Sequence, residues 1–390
     1  AFRGPNGDGI APDQRAPVRW SETENIRWAR PLPQPGNGSP IVLGSQVLLS
    51  GSVDPDGMRR GLYSFETATG KQQWVRTINL HRKMPTHKTN PYGASTPASD
   101  GKTVVVWHGS GGLHAYDMGG KPKWQRAYGE FQHMWGYANS PVIHADKVIL
   151  YTGPGMKRSF VTVLDLQSGE TTWEKDEPFT GTGEKNDQGQ YLGSWCTPTI
   201  HEGQVLLALP TRINAYDLAN GEITWTCDGV AHSRGDLGYS SLVLCGDIVF
   251  YTGGFRGPML AVRTTGKGDV TGDRLFRVEK QPQSIGSGVF VNGYIYRPNA
   301  GPGTIDCIDP KTGEIRWSER AGDAFWASII MVGEYLYATS QDGRTTVFKP
   351  NPERLESVAT NALKDRVNAT PASANGRLYI RGFKALYCVE

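Results

Sequence analysis

A nine-residue pattern recurs along the chain and constrains the fold more than any other feature. In each full copy an acidic residue is followed by glycine four positions later and by tryptophan four positions after that. Full copies begin at Glu66, Asp165, Asp217 and Asp309, and a copy shortened by one residue begins at Asp117. The acidic residue and the glycine are typical of a tight β-turn, because glycine readily adopts positive φ. The tryptophan then begins an outer strand, where a large ring can wedge between neighbouring sheets.

A second recurring element precedes each turn by about 30 residues. It is a short strand led by serine or threonine, followed by a turn and a second strand, as in residues 39–49. We call the serine- or threonine-led strand the start of a blade and the tryptophan of the outer strand, or its equivalent, the end. Eight starts alternate with eight ends at a mean spacing of about 47 residues, which suits four strands and their turns. The first end, Trp28, has no start before it, and the last start, Thr370, has no tryptophan after it.

This interlocking register predicts an all-β fold, an eight-bladed β-propeller of four-stranded antiparallel blades. Residues 25–30 and 370–390 would form one closing blade, so that the N- and C-terminal segments pair and leave no open sheet edge. Seven blades is the alternative, because the ends at Phe276 and Val358 lack tryptophan. We expect a single domain over 1–390, with 1–24 as an N-terminal extension packed on the ring and 176–194 as a loop insertion.

Composition narrows the functional classes. The net charge is +3, from 41 basic and 38 acidic residues that are scattered along the chain, so nucleic acid is not an expected partner. No apolar run approaches the roughly 18 residues that a membrane span needs. No histidine, cysteine or carboxylate cluster has metal-ligand spacing, so we predict no metal site. Segments 186–189 and 269–273 resemble only fragments of calcium loops, which leaves calcium without support.

The acidic–glycine–tryptophan repeat resembles the PQQ-binding-like β-propeller repeat of the quinoprotein alcohol dehydrogenase-like superfamily. Residues 2–10, 20–28, 268–271 and 376–388 resemble, more specifically, uncharacterised PQQ-like propeller proteins of planctomycetes and related bacteria. The resemblance covers essentially the whole chain and implies a periplasmic or extracellular location. It does not imply one function, because the family contains both enzymes and scaffolds.

Two departures from the quinoprotein dehydrogenases argue against PQQ as a cofactor. Those enzymes carry an adjacent cysteine pair beside the quinone, whereas none of the five cysteines of this chain are adjacent. No set of calcium-binding and catalytic carboxylates can be matched residue by residue either. The cofactor, if there is one, therefore stays unknown at this stage.

The connections from each outer strand to the next inner strand are expected on one face, around the central channel, where binding residues concentrate. Here these connections are rich in histidine, tryptophan, tyrosine and arginine. Flat aromatic faces with polar groups between them suit a sugar or a planar anion, although aromatic side chains can also simply plug a channel. We predict a site for a small molecule, a glycan or a protein, formed by His87, Lys88, His133, Trp135, Tyr137, Asn139, Trp195, Trp326, Arg366 and Asn368.

The fourth connection places His232, Arg234, Asp236 and Tyr239 within eight residues. A polysaccharide lyase could use such histidine or tyrosine side chains for proton abstraction and arginine to neutralise a uronate. Three functions therefore remain open: a non-catalytic exported propeller that binds a ligand or partner at the channel mouth, a carbohydrate-active lyase or hydrolase, and a PQQ-dependent dehydrogenase. Whether the protein is an enzyme is not determined by the sequence.

Overall fold

The computed structural model describes residues 1–155 and 157–390. Eight sheets of four antiparallel strands form a ring, which confirms the eight-bladed propeller. Blades 1 to 4 consist, from the channel outward, of Ile41–Leu43, Gln46–Ser52, Arg59–Glu66 and Gln72–Asn79; Ala98–Ser99, Thr103–Trp107, Leu113–Asp117 and Pro122–Arg126; Val142–His144, Lys147–Tyr151, Phe160–Asp165 and Thr171–Asp176; Thr199–His201, Gln204–Ala208, Arg212–Asp217 and Ile223–Asp228.

Blades 5 to 8 complete the ring, and blade 8 takes its fourth strand from the beginning of the chain. Their strands are Val243–Cys245, Ile248–Thr252, Met259–Arg263 and Phe276–Val278; Val289–Val291, Tyr294–Pro298, Thr304–Ile308 and Ile315–Arg320; Ile330–Val332, Tyr335–Thr339, Arg344–Lys349 and Glu356–Ala362; Ala372–Ala374, Arg377–Arg381, Ala385–Val389 and Ile26–Pro31. In blade 8, Trp28 lies opposite Cys388 in an antiparallel pair. The ring is therefore closed by both termini, as predicted.

The remaining regular elements are short. Ile10–Ala11 adds to blade 7, Gly268–Asp269 adds to blade 4, and Leu192–Ser194 pairs in parallel with Asp236–Gly238. Two 3₁₀ turns occupy Gly109–Gly111 and Thr271–Asp273. The five cysteines are all buried and unpaired, as small core residues usually are. No helix among the described residues has the length and hydrophobicity needed to cross a bilayer.

The repeat tryptophans lock each blade to the next. The Trp124 indole N–H donates to the Leu166 carbonyl of blade 3 at 2.9 Å. Its ring lies so close to Gly169 that a Cβ there would approach it to 2.5 Å, and the φ of Gly169 is +68°. Both observations explain why the turn requires glycine. Equivalent indole–carbonyl bonds are made by Trp28, Trp74, Trp173 and Trp317.

A ring of eight hydrogen bonds closes the propeller around its axis. The serine or threonine that leads each inner strand donates its main-chain N–H to the side-chain hydroxyl of the equivalent residue in the next blade, at 2.9–3.3 Å. The last bond runs from Thr370 back to Ser39. We call this set the hydroxyl ring; its members are Ser39, Thr96, Ser140, Thr197, Ser241, Ser287, Ser328 and Thr370.

Replacing Ser39 by alanine should lower the free energy of unfolding by about 1–3 kcal/mol, because the buried N–H of Thr370 loses its acceptor. Urea unfolding measured against the wild type tests this expectation. The exposed Ser233→Ala substitution is the control and should change stability by less than about 0.5 kcal/mol. Equal effects of the two substitutions would show that the hydroxyl ring does not hold the blades together.

Blade 2 contains two neighbouring histidines in its core, His108 and His114, with ring centroids 5.8 Å apart. Burial, reinforced by the neighbouring His114, holds the pKa of His108 well below its usual value, and burial also lowers the pKa of His114. The unfolded chain therefore binds more protons than the native protein below pH 6.5, so stability is full above that pH and falls on acidification.

Between pH 7 and pH 5, the free energy of unfolding of the wild type should fall by about 1–2 kcal/mol more than that of His108→Gln. Urea unfolding at both pH values measures this difference. His144→Gln, at an exposed position, should keep the wild-type dependence. If His108→Gln also showed the wild-type pH dependence of stability, His108 would not contribute to the loss of stability in acid.

Candidate functional site

A pocket of about 500 Å³ opens at the channel mouth, on the face that carries the connections between blades. The hydroxyl ring forms its base. Its wall includes the residue two positions before each ring member, and because alternate residues of an extended chain face the same way, all eight side chains reach the pocket. These eight residues are Asn37, Ala94, Ala138, Trp195, Tyr239, Ile285, Trp326 and Asn368.

The wall has two different halves. Blades 4 to 7 contribute the large apolar and aromatic side chains of Trp195, Tyr239, Ile285 and Trp326. Together with Trp135, which also lines the pocket, they form the half that we call the aromatic arc. The other half is polar and is built on Asn368 and Asn37, supplemented by His87, Thr89 and Asn90; we call it the amide arc. The described residues that line the pocket include no aspartate, glutamate, lysine or arginine, so the lining offers no carboxylate, ammonium or guanidinium group.

Trp135, Trp195 and Tyr239 form a packed cluster within the aromatic arc. Trp195 lies 5.7 Å from Trp135 and 5.6 Å from Tyr239 between ring centroids. The Trp195 indole N–H donates to the Gly136 carbonyl at 2.9 Å. Burial raises the pKa of Tyr239 above its usual value. The insertion supports this cluster from behind, since Tyr191 packs on Trp135 with centroids 4.7 Å apart.

The amide arc is held by a chain of side-chain hydrogen bonds. Gln341 donates to Asn368 at 2.7 Å, Asn368 donates to Asn37 at 3.0 Å, and Asn37 donates to Asn90 at 3.0 Å. The amide of Asn90 then donates to the Trp135 carbonyl at 2.8 Å. Because each amide is fixed by its neighbour, the arc presents polar groups in set positions around part of the pocket.

A strained turn carries an aromatic side chain to the pocket rim. Phe255 and Arg256 have φ values of +48° and +70°, and the turn closes with the Gly257 N–H donating to the Gly254 carbonyl at 2.8 Å. Non-glycine residues in this region cost about 1–3 kcal/mol each. The turn nevertheless places Phe255 on the pocket lining with 44% of its surface exposed.

Of the ten predicted ligand-binding residues, five line the pocket: His87, Trp135, Trp195, Trp326 and Asn368. The other five do not. Lys88 and Arg366 are exposed beside it, and Arg366 lies over the Phe383 ring at 5.3 Å. Asn139 is buried and bonds the carbonyls of Ser194 and Cys196, while Tyr137 is buried against Arg60.

His133 is buried behind the aromatic arc, and both of its ring nitrogens are engaged. Nε2 donates to the Leu192 carbonyl at 3.1 Å, and Nδ1 accepts from the Trp135 N–H at 3.1 Å. Burial lowers the pKa of this imidazole, which keeps it neutral. His133 therefore positions Trp135 instead of facing a ligand.

The four predicted catalytic residues are not brought together. Only Tyr239 lines the pocket. The Asp236 carboxylate accepts from Asn186 of the insertion at 2.9 Å, Arg234 is exposed, and His232 accepts the Arg234 N–H through Nδ1 at 3.3 Å. Asp236 and Tyr239 are three residues apart on an extended chain, so their side chains point to opposite sides.

The sequence reasoning missed several lining residues, namely Phe2, Asn37, Thr89, Asn90, Phe255, Gln283, Ile285 and the hydroxyl ring. A signal for two of them was present. Asn37 and Ile285 occupy the position two residues before a serine-led inner strand, the same position as Trp195 and Trp326. Phe2 and Phe255 lie outside this register and could not be found from it.

The lining does not fit PQQ. This cofactor is a planar tricarboxylate, and its recognition with calcium requires cationic side chains and oxygen-rich anionic ligands. The lining residues that the structure describes offer neither. Elsewhere in 1–155 and 157–390 no group of three or more histidine, cysteine or carboxylate side chains has a metal-binding arrangement. We therefore derive no quinone chemistry for this site.

Solved structures that share the fold include BamB from Moraxella catarrhalis, with 16% identity over 94% of this chain and 99% of that chain and a TM-score of 0.67. A quinohemoprotein alcohol dehydrogenase from Comamonas testosteroni has 14% identity over 93% of this chain and 76% of that chain, with a TM-score of 0.67. A europium-containing methanol dehydrogenase has 12% identity over 92% of this chain and 85% of that chain, with a TM-score of 0.69. No curated protein matches the chain significantly in sequence. The family model described as outer membrane protein assembly factor BamB matches residues 12–128 and 82–319, more than half of the chain. The chain therefore belongs to this family of PQQ-like propellers.

Proposed function

We propose that the protein binds an uncharged carbohydrate in the channel-mouth pocket. The observation that carries this proposal is the division of a neutral pocket into an aromatic arc and an amide arc. A pyranose ring has an apolar face of C–H groups and a rim of hydroxyls. The first suits the faces of Trp135, Trp195 and Trp326, and the second suits the amides of Asn37 and Asn368.

The absence of charge in the described lining favours neutral sugars over uronates. A uronate carboxylate would need an arginine or lysine to offset the loss of hydration, and the two predicted cations, Lys88 and Arg366, do not line the pocket. A volume of about 500 Å³ also lies within the roughly 300–1,000 Å³ that small-molecule pockets span. It accommodates a short oligosaccharide.

Binding without catalysis is the simpler proposal for this site. Glycoside hydrolysis uses two carboxyl groups that flank the scissile bond, and none line the described part of the pocket. A lyase would need a base and a carboxylate-neutralising cation, yet His232 and Arg234 lie off the pocket. The family resemblance supports a periplasmic or extracellular location, where polysaccharides are available.

Isothermal titration calorimetry with maltohexaose, xylohexaose and mannohexaose tests the proposal. We expect at least one to bind and hexagalacturonate, which is acidic, to bind more weakly or not at all. Enzyme assays on the same solutions should release no new reducing ends. Failure of all three neutral sugars to bind would remove the carbohydrate proposal, and preferential binding of the uronate would reverse its charge argument.

A further inference from the structure

Residues 1–11 lie in the channel below the hydroxyl ring. Ile10 pairs with Met331 on the inner strand of blade 7, and the buried Arg3 guanidinium donates to the Gly288 carbonyl of blade 6. The same segment also lies along the inner strands of blades 3, 4 and 8, leaving separate voids of about 170 and 290 Å³ at its sides.

Phe2 is the residue of this segment that reaches the pocket. It lines the pocket at the channel mouth and also the void of about 170 Å³ on the other side of Thr197 and Ser241. Its half-buried side chain therefore lies between the two spaces, at the level of the hydroxyl ring. Phe2 and the ring hydroxyls therefore form a floor between the pocket and this void, and a ligand enters from the channel mouth.

A blind pocket of this kind selects ligands by shape. A polymer can cross an open groove or thread an open channel anywhere along its length, but it can enter a pocket with one opening only by its end. The floor also suits a chain end chemically. Each ring hydroxyl uses one lone pair to accept a main-chain N–H and keeps its own O–H as a donor, so the floor can bind the additional hydroxyl of a terminal sugar.

We propose that the pocket receives the terminal sugars of an uncharged glycan chain, with the chain end against Phe2 and the hydroxyl ring. This inference rests on the carbohydrate binding proposed above. The terminal units lie between the aromatic arc and the amide arc, and the following units leave past the exposed Phe255 at the rim. The recognised feature is therefore an end of the chain, and internal units are excluded.

The first test compares chains of the same linkage with many or few ends. Maltohexaose, xylohexaose and mannohexaose are each titrated beside amylose, xylan and mannan at equal mass concentration. Expressed per unit mass, the polymer should bind at least about tenfold more weakly than its hexamer, whereas the affinity per chain end should be equal. Equal affinity per sugar unit would overturn end recognition and leave carbohydrate binding intact. If none of the six bound, carbohydrate binding itself would fail.

The second test addresses the floor directly. Phe2→Ala should weaken binding of the responsive hexamer about five- to tenfold, because the terminal sugar loses its contact with the ring. Phe383→Ala is the matched control, a half-buried phenylalanine that does not line the pocket, and it should bind as the wild type does. Unchanged affinity in Phe2→Ala, with thermal unfolding like that of the control, would contradict a chain end placed on Phe2.

Discussion

Replacing Asp306 by alanine is expected to lower the free energy of unfolding by about 3–5 kcal/mol. Asp306 forms an ion pair with Arg297 inside blade 6, and each of the two side chains has only 1% of its surface exposed. The second Asp306 oxygen accepts from Ser318 at 2.6 Å. Removal of the carboxylate leaves the Arg297 cation buried, and the side-chain acceptors that remain to it among residues 1–155 and 157–390 are the neutral Gln281 amide oxygen and the Met259 sulfur.

The double variant Arg297→Met/Asp306→Leu separates the ion pair from the packing around it. It removes both charges while keeping similar volumes, so its stability should lie within about 2 kcal/mol of the wild type. Guanidinium unfolding of the three proteins measures these differences. A loss below about 1 kcal/mol in Asp306→Ala would mean that water reaches Arg297 and that the pair is not a buried one.

The sequence predicts the architecture well because the propeller repeats a local pattern. Each acidic–glycine–tryptophan copy encodes a turn and a wedge within nine residues, and the unmatched Trp28 and Thr370 together indicate how the ring closes. The degenerate copy in blade 5 is also explained by packing. Phe276 takes the place of tryptophan against Gly313. Trp225 is buried in the same core cluster as Val270, whose N–H donates to the Thr226 carbonyl.

The site is predicted only in part, because its geometry depends on the alternation of side chains and on contacts distant in sequence. Trp195, Trp326 and Asn368 were found because their connections are conspicuous in composition. His232, Arg234, Asp236 and Tyr239 are close in sequence but diverge in space, since neighbouring residues of an extended chain face opposite sides. Asp236 is bound instead to Asn186, fifty positions earlier.

The segment within the channel was beyond sequence reasoning for a different reason. Residues 1–9 carry no strand periodicity, and their binding surface exists only once several inner strands have assembled around the axis. Arg3, for example, donates to Gly288, which is 285 positions away. The sequence therefore predicts an extension packed on the ring but not that Phe2 reaches the pocket. The shape of the site, more than its composition, is what the structure adds.

The double substitution Trp135→Ala/Trp326→Ala should weaken binding of the responsive hexasaccharide by about 10²-fold or more. Trp135 and Trp326 are both half-buried in the pocket wall, and truncating a tryptophan at the centre of a binding site commonly costs more than about 1 kcal/mol. The two tryptophans belong to different blades, so their contributions should largely add. Trp326 makes no side-chain hydrogen bond among the described contacts, which makes Trp326→Ala the cleaner single variant, with an expected loss of about tenfold. Calorimetric titration measures both losses.

Trp124→Phe is the control for this experiment, because Trp124 is a repeat tryptophan bonded to Leu166 and remote from the pocket lining. It should lower thermal stability without changing affinity, whereas the pocket variants should change affinity more than stability. This opposite pattern follows from the two uses of tryptophan in the chain, as a wedge between blades and as a face of the aromatic arc. Wild-type affinity in the double variant would contradict the assignment of the aromatic arc as the sugar-binding wall.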